Sequence, residues 1–208
     1  LFPYTTLFRS ARRYRSFVLP DLKAYNPEGF DYKTDPEKAE TLLEQAEASE
    51  ETPTLFVNSG NELEEQIGTL LQDYLSRVGL DIEVQPLPSG EFTSKLFSKK
   101  LSFFITSGVS WIDDPATIVG LWMVSGAHGN YTGFSNDKVD RIQEEWQFKE
   151  PSEQRREVYK TAQRIYNEDV NVVYLVLQDH LILHTDDVSN YIFYKDTATR
   201  YQDLKPGE

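Results

Sequence analysis

A short loop holds the side chains with the most evident capacity for chemistry: Trp111, Asp113 and Asp114. The loop follows an apolar run, Phe103-Phe104-Ile105, and loops at strand ends expose binding groups while the strand holds them in place. A carboxylate there can form a charge-assisted hydrogen bond with a ligand ammonium group, and the face of a Trp ring attracts cations. The loop is therefore predicted to bind an amine-bearing ligand. Two alternatives remain open: a plain turn with solvated acids, and a Trp111 ring packed in the core.

The sequence gives less support to a catalytic or metal-binding role. Asp113 and Asp114 are adjacent, so on an extended backbone their carboxylates diverge, whereas an acid–base pair needs convergent groups. His180 and His184 lie in a β-prone segment, where their spacing separates them by ~13 Å, too far for one metal ion. The sequence contains no nucleophile-elbow, phosphate-loop or dinucleotide-binding glycine motif. We therefore predict no catalytic residue, no metal site and no cofactor, and keep a hydrolase using the two aspartates as a lesser alternative.

The elements that must position this loop alternate between strand and helix patterns. Strands are predicted at residues 54–57, 82–84 and 102–106. A long amphipathic helix that ends at Gly79 lies between the first two, and a short helix at 90–98 lies before the third. Because strands joined by helices imply right-handed crossovers, the sequence predicts an α/β fold with a mainly parallel sheet.

Other elements are predicted on both sides of this region. In chain order they are a helix with Asp35 as its cap and Pro36 in its first turn, a short apolar helix at 116–124, a helix capped by Asn136 or Ser135, a helix that begins at Pro151-Ser152 and turns Val158, Tyr159, Ala162, Ile165 and Tyr166 inward, and two strands at 171–177 and 181–184.

Composition narrows the class of protein. With 21 Lys and Arg against 34 Asp and Glu, the 208-residue chain has a formal net charge of −13, which disfavours nucleic acid or an anionic membrane surface as the main partner. The chain has no cysteine, which excludes disulfides, thiolate metal sites and cysteine nucleophiles. No apolar run approaches the ~20 residues that span a bilayer.

Residues 1–10 (LFPYTTLFRS) resemble the translation of a widely used sequencing adapter. We interpret them as an assembly artefact and exclude them from fold reasoning. Residues 11–33 contain prolines and a glycine among aromatic residues without a sustained period, and they are predicted to form a linker.

Four motifs resemble those of a known family. They are residues 32–43 (YKTDPEKAETLL), 111–115 (WIDDP), 130–140 (NYTGFSNDKVD) and the segment 153–169 that begins with EQRR. The order and spacing of these motifs match the family across most of residues 30–185. The chain thus resembles the C-terminal part of an extracytoplasmic solute-binding protein of peptide, nickel and opine ABC importers. These binding proteins form family 5, the oligopeptide- and dipeptide-binding family.

The resemblance implies a fold and a domain plan. The fold is a periplasmic-binding-protein-like lobe, with a mainly parallel sheet flanked by helices, from a truncated two-lobe protein. Residues 34–177 would form the second lobe, and residues 178–208 would return towards the first lobe.

The resemblance also implies ligand contacts. In peptide-binding members, the aspartate of the Trp-x-x-Asp loop holds the α-ammonium group of the peptide, and counting from Trp111 gives Asp114. This loop is shorter than usual, so Asp113 is the alternative. Phe92 lies nineteen residues before Trp111, where peptide binders place a pocket aromatic. Gly108 stands where some members carry an arginine, which leaves recognition of a ligand carboxylate, and with it the length and type of the ligand, open.

The function that follows from the resemblance is transport, not catalysis. The chain is expected to capture peptides or small amine-bearing solutes for ABC permease subunits, without nucleic acid and with membrane contact only through the permease or a missing lipid anchor. The expected location is the periplasm or the cell surface as a lipoprotein, with the signal sequence missing from this fragment. An alternative is the ligand-sensing domain of a transcriptional regulator with the same fold.

Overall fold

The computed structural model describes residues 11–13, 15–20, 22–23, 25–26, 32–48, 51–108, 112–178, 182–194 and 200–207. Contacts between residues divide the chain into two compact units. Unit 1 comprises Leu1–Asp31, Val109–Asn130 and Phe134–Glu208, and unit 2 comprises Tyr32–Gly108 and Tyr131–Gly133. Residues 34–177, predicted as one lobe, therefore contribute to both units.

Unit 2 is built on a small parallel sheet. Strand β2 (Thr54–Asn58) pairs in parallel with β3 (Glu83–Leu87). On its other side, Phe56 forms a parallel bridge with Phe104, and the Ile105 N–H donates to the Phe56 carbonyl oxygen at 3.1 Å. β2 is therefore the central strand, and the predicted α/β fold with parallel pairing is confirmed.

Two helices cover the two faces of β2. Along the strand, Leu55 and Val57 share one face, and Phe56 points to the opposite face. Helix α2 (Glu62–Ser76) packs closely on the first face, because a Cβ added at Gly68 would lie 3.1 Å from Val84 and 3.2 Å from Val57. Helix α3 (Ser89–Phe97) turns two buried side chains, Phe92 and Leu96, into a cluster on the Phe56 side. That cluster contains buried Leu87, Phe92, Leu96 and Leu101, with Phe56, Phe104 and Tyr131 packed against it.

The third predicted strand, 102–106, is reduced to the single bridge at Phe104. In the part of the chain that the structure describes, this run pairs only with β2. With a partner on one side alone, a short run forms few ladder hydrogen bonds. The apolar pattern correctly indicated β-structure in this run and overestimated its length.

The first predicted helix is confirmed as α1 (Pro36–Gln45), which belongs to unit 2. The Asp35 carboxylate accepts a hydrogen bond from the Lys38 N–H at 3.0 Å, as an N-cap should. None of the residues of α1 is buried, and Leu42 is 52% exposed. The apolar side chains of this helix are thus at most partly covered.

Unit 1 is largely helical. Within the residues described, its α-helices are α4 (Pro115–Trp122), α5 (Asp137–Trp146) and α6 (Glu153–Glu168). Of the two predicted caps Asn136 and Ser135, Asn136 caps α5. Ser152 caps α6, which was predicted to begin at Pro151-Ser152, and each cap accepts a backbone N–H of the first turn through a side-chain oxygen. The buried core between these helices contains Ala116, Val119, Met123, Phe134, Val139, Tyr159, Ala162 and Tyr166.

A second cluster of unit 1 comes from the segment predicted as a linker. Val18 is fully buried, Leu22 is 4% exposed, and both pack against Ile118 of α4. The described residues of this segment thus contribute to the core of unit 1.

The loop between α4 and α5 is ordered by Asn130, which is 1% exposed. Its side-chain amide nitrogen donates to the carbonyl oxygens of Val124 at 2.9 Å and Phe134 at 2.7 Å. Gly133 has a φ of +74°, a conformation that glycine adopts without strain. The buried amide therefore links two backbone carbonyl groups across the loop.

Short strands complete unit 1. Strand β1 (Ala11–Arg13) pairs antiparallel with β4 (Val176–Gln178), and β5 (Val188–Ser189) pairs antiparallel with β6 (Lys205–Pro206). Of the predicted strand 171–177, only the last two residues are in a strand. Residues 182–184 of the predicted strand 181–184 are not in a strand, and residue 181 lies outside the described residues. None of the described helices combines the length and the apolarity needed to cross a membrane.

Candidate functional site

The predicted ligand loop leads directly into helix α4. Asp114 is the N-cap of this helix, and Pro115 occupies the first turn, where its missing N–H costs nothing. The Asp114 Oδ1 atom accepts hydrogen bonds from the N–H groups of Ala116 at 2.7 Å and Thr117 at 3.1 Å. One role of Asp114 is therefore to begin α4.

The second role of Asp114 is an ion pair with Arg155, which lies in the first turn of α6. The guanidinium is bidentate, because Nη1 donates to Oδ2 at 3.0 Å and Nη2 donates to Oδ1 at 3.2 Å. The Arg155 side chain is 5% exposed, whereas that of Asp114 is 36% exposed. The same guanidinium donates from Nε to the Trp146 carbonyl oxygen at 3.1 Å and from Nη2 to the Gln147 carbonyl oxygen at 3.3 Å. Arg155 thus joins the start of α4, the end of α5 and the start of α6.

This environment keeps Asp114 ionised. Burial alone raises the pKa of Asp114, but the hydrogen bond and positive charge of Arg155 and the two capping N–H groups outweigh it, so the pKa lies below its ordinary value. The carboxylate charge is matched by the guanidinium charge. A hydrolase that uses Asp114 as a proton donor near neutral pH is not supported by this geometry.

Asp113 has a different setting. Its side chain is exposed, and its Oδ1 atom accepts a hydrogen bond from the Lys23 N–H at 2.9 Å. The backbone of Asp114 is extended, with φ −131° and ψ 120°, so consecutive side chains point to opposite sides of the chain. Asp114 is directed towards Arg155, and Asp113 is directed away from it.

The other predicted ligand residues lie elsewhere. Trp111 lies outside the described residues. Phe92 is 4% exposed and packs in the cluster beneath α3, so most of its ring contacts other side chains. The structure therefore brings Asp113 and Asp114 together in unit 1, while Phe92 belongs to unit 2. The ligand roles of Trp111 and Phe92 stay predictions.

Arg155 was given no role in the sequence analysis, although a signal for it was present. On α6, Arg155, Tyr159, Ala162 and Tyr166 recur at the spacing of one helix face, and the last three form part of the core. An arginine on an inward face needs a buried partner, because a desolvated charge without one is costly. The missing information was the identity of that partner, which lies 41 residues earlier.

Glu64 was also overlooked. It lies in the first turn of α2 and is 5% exposed. Its oxygens accept hydrogen bonds from the Asn61 side-chain amide at 2.9 Å, from the Asn58 N–H at 3.3 Å and from Ser107. Burial raises the pKa of Glu64, and these hydrogen bonds oppose that shift only in part. The Asn-x-x-Glu spacing of Asn61 and Glu64 is a capping-box pattern and was the available signal.

Comparisons with known proteins agree with this fold. The chain is 21% identical over 188 residues to the probable D,D-dipeptide-binding periplasmic protein DdpA of Escherichia coli (strain K12). The aligned region covers 88% of this chain and 36% of that protein. The structure of DppA from Helicobacter pylori in complex with the peptide STSA matches with a TM-score of 0.82 at 20% identity, over 96% of this chain and 40% of that one. NikA from Staphylococcus aureus in complex with Ni(L-His)2 matches with a TM-score of 0.75 at 16% identity, over 90% of this chain and 41% of that one. The chain thus spans about two fifths of the length of these relatives.

A family assignment follows from the sequence match. The sequence profile of the family described as "Bacterial extracellular solute-binding proteins, family 5 Middle" matches residues 4–130, which is more than half of the chain. These relatives are solute-binding proteins, not enzymes, and they give no support to the alternatives of a hydrolase or a regulator's sensing domain. The chain therefore belongs to the bacterial extracellular solute-binding proteins of family 5.

Proposed function

We propose that this chain is part of the substrate-binding subunit of an ABC importer, which captures peptides or related amine-bearing solutes. Family membership supports a binding role. The named relatives support the ligand class, since one is a probable dipeptide binder, one holds a peptide and one holds a complex of histidine with nickel. All three ligands contain amino acids, whose amino nitrogen is the shared chemical feature.

The ligand ammonium group is bound at the loop of Trp111, Asp113 and Asp114, with Asp113 as the primary contact. The observation that carries this choice is the bidentate pairing of Asp114 with buried Arg155. A carboxylate whose charge is matched by a guanidinium attracts a second cation weakly. Asp113 is exposed and points to the other side of the backbone, which suits it to a charge-assisted hydrogen bond with an ammonium group. Trp111 is the second contact that the sequence predicts in this loop, since an aromatic ring attracts a cation.

The partners follow from the proposed role. The loaded protein delivers its solute to ABC permease subunits outside the cytoplasm, as a periplasmic protein or a lipoprotein. Delivery requires that the ligand favours one conformation of the full-length protein, because a ligand shifts an equilibrium only by its differential affinity.

The test is a calorimetric titration of the full-length gene product with a tetrapeptide and with its N-acetylated form. We expect the free-amine peptide to bind and the acetylated peptide to bind at least tenfold more weakly. Asp113→Asn should weaken binding of the free-amine peptide by roughly tenfold or more, because a hydrogen bond to a charged group contributes about 1.5–3 kcal/mol.

Asp81→Asn is the matched control, since Asp81 is an exposed aspartate of unit 2. This control should leave both affinities unchanged. The proposal is refuted if the acetylated peptide binds as tightly as the free one, or if Asp113→Asn binds both peptides as the wild type does. Tight binding of Ni(L-His)2 with no binding of metal-free peptides would contradict a peptide ligand and indicate a metal complex of an amino acid instead.

A further inference from the structure

Arg155 carries a buried positive charge, which costs free energy unless nearby acceptors compensate it. Its side chain is 5% exposed and lies in the first turn of α6, close to the positive end of the helix dipole. A buried guanidinium needs several acceptors, and Arg155 donates two hydrogen bonds to Asp114 and two to carbonyl groups at the end of α5. Its planar fork fits a carboxylate in one orientation only.

The two N–H donors of the guanidinium fix the orientation of the Asp114 carboxylate more tightly than helix capping alone. The capping N–H groups of Ala116 and Thr117 both bond to Oδ1, which leaves Oδ2 undetermined. Arg155 Nη1 donates to Oδ2 and Nη2 donates to Oδ1, so the plane of the carboxylate is set. With both oxygens held, the side chain of Asp114 has a single direction.

Holding the Asp114 side chain in place also holds the backbone that Asp114 shares with Asp113. The extended backbone at Asp114 places consecutive side chains on opposite sides, so Asp114 facing Arg155 turns Asp113 outward. The Lys23 N–H bond to Asp113 Oδ1 holds the same residue from a second side. Both constraints act within unit 1.

We propose that Arg155 is a positioning residue for ligand recognition: by holding Asp114 in bidentate contact, it presents the Asp113 carboxylate to the ligand ammonium group. The inference rests on the proposed function and adds the residue that sets the geometry of its contact. Arg155 itself does not touch the ligand. Loss of the fork frees the loop to rotate, so the protein loses its preference for an amine more than its affinity for the rest of the ligand.

The test compares affinities for a tetrapeptide and its N-acetylated form in the full-length gene product. Arg155→Lys keeps the charge and removes the fork, and Asp114→Asn keeps the helix cap while removing the ion pair. Both variants should reduce the affinity ratio of free to acetylated peptide by about fivefold or more, with affinity for the acetylated peptide within twofold of wild type. Arg156→Lys is the matched control, because Arg156 is the next residue, is half-exposed and pairs with Glu153 of its own helix.

The outcomes separate the two proposals. If the wild type does not distinguish the peptides, the proposed function fails. If the wild type distinguishes them and Asp113→Asn does not, while Arg155→Lys and Asp114→Asn retain the wild-type ratio, the positioning role of Arg155 is refuted. Equal weakening of both peptides in these variants also refutes it, since that result indicates a structural role alone. If Arg155→Lys does not fold, Asp114→Asn decides the question by the same ratio.

Discussion

Replacing Glu64 by alanine tests whether this buried carboxylate holds the end of the parallel sheet. Glu64 accepts hydrogen bonds from Asn58 at the end of β2, from Asn61 at the cap of α2 and from Ser107 beyond the Phe104 bridge. All these groups belong to unit 2. The substitution removes the shared acceptor and leaves the donors to find others.

The expected loss is about 2 kcal/mol in the free energy of unfolding of unit 2. The half-buried Asn58 N–H loses its acceptor, which costs about 1–3 kcal/mol for a donor away from water. Ser107 is exposed, and the Asn61 donor is a side-chain amide that can turn towards water, so these two groups add less. Removal of the desolvated charge offsets part of the loss, which keeps the sum near the middle of that range.

Glu64→Gln isolates the charge from the shape of the side chain. Burial raises the pKa of Glu64 above its usual 4.5, so the folded protein holds this proton more tightly than the unfolded chain does. Wild-type stability should therefore fall as the pH rises from about 4.5 through the folded pKa and then level off. The glutamine variant has no titrating carboxyl group at this position, so its stability relative to wild type should increase over the same pH range.

Native-state hydrogen exchange of the Phe56 amide provides the measurement, because this amide donates to the Phe103 carbonyl oxygen at 2.9 Å in the middle of the sheet. Glu62→Gln is the control, since Glu62 lies in the same turn of α2 and is exposed. Two results together would show that Glu64 does not stabilise the end of the sheet. They are a change below about 0.5 kcal/mol in the free energy of unfolding for Glu64→Ala, and an equal pH dependence of stability in wild type and Glu64→Gln.

Two other predictions address the cores. Leu55→Ala should reduce the free energy of unfolding by about 3 kcal/mol, because Leu55 is fully buried. Leu42→Ala should change it by less than about 0.5 kcal/mol, because Leu42 is 52% exposed. Urea denaturation followed by circular dichroism measures both changes, and equal effects would contradict the core assignment. Burial raises the pKa of Tyr159 from 10.0 to about 12, so the neutral phenol is favoured in the fold and stability should fall as the pH rises from 10 to 12. Tyr159→Phe should remove that fall, and a stability curve unchanged by the substitution would rule out Tyr159 as its source.

Features that depend on neighbours in sequence were predicted well. Asp35, Asn136 and Ser152 each cap a helix by accepting an N–H from within the next three residues, so the whole interaction lies in one short segment. The long helix α2 was recognised from its apolar period, and Gly79, with a φ of +87°, follows its end as expected.

Features that depend on distant partners were not predictable in the same way. The Asp114–Arg155 pair joins residues 41 positions apart, and the Asp113–Lys23 hydrogen bond joins residues 90 positions apart. No local pattern identifies which carboxylate meets which hydrogen-bond donor across such separations. The resemblance pointed to the Trp111–Asp114 loop as the ligand site, and the pairing of Asp114 with Arg155 is what shifts the proposed primary contact to Asp113.

The buried amide of Asn130 has a consequence for how the protein can be produced. Asn130, Tyr131 and Thr132 form an Asn-X-Thr acceptor sequence for N-linked glycosylation. In the folded protein the Asn130 nitrogen is enclosed and donates to two carbonyl groups, so an attached glycan and the native loop exclude each other. A host that glycosylates nascent chains before they fold would trap this loop in a non-native state, whereas a bacterial host without that modification leaves the nitrogen for its structural role.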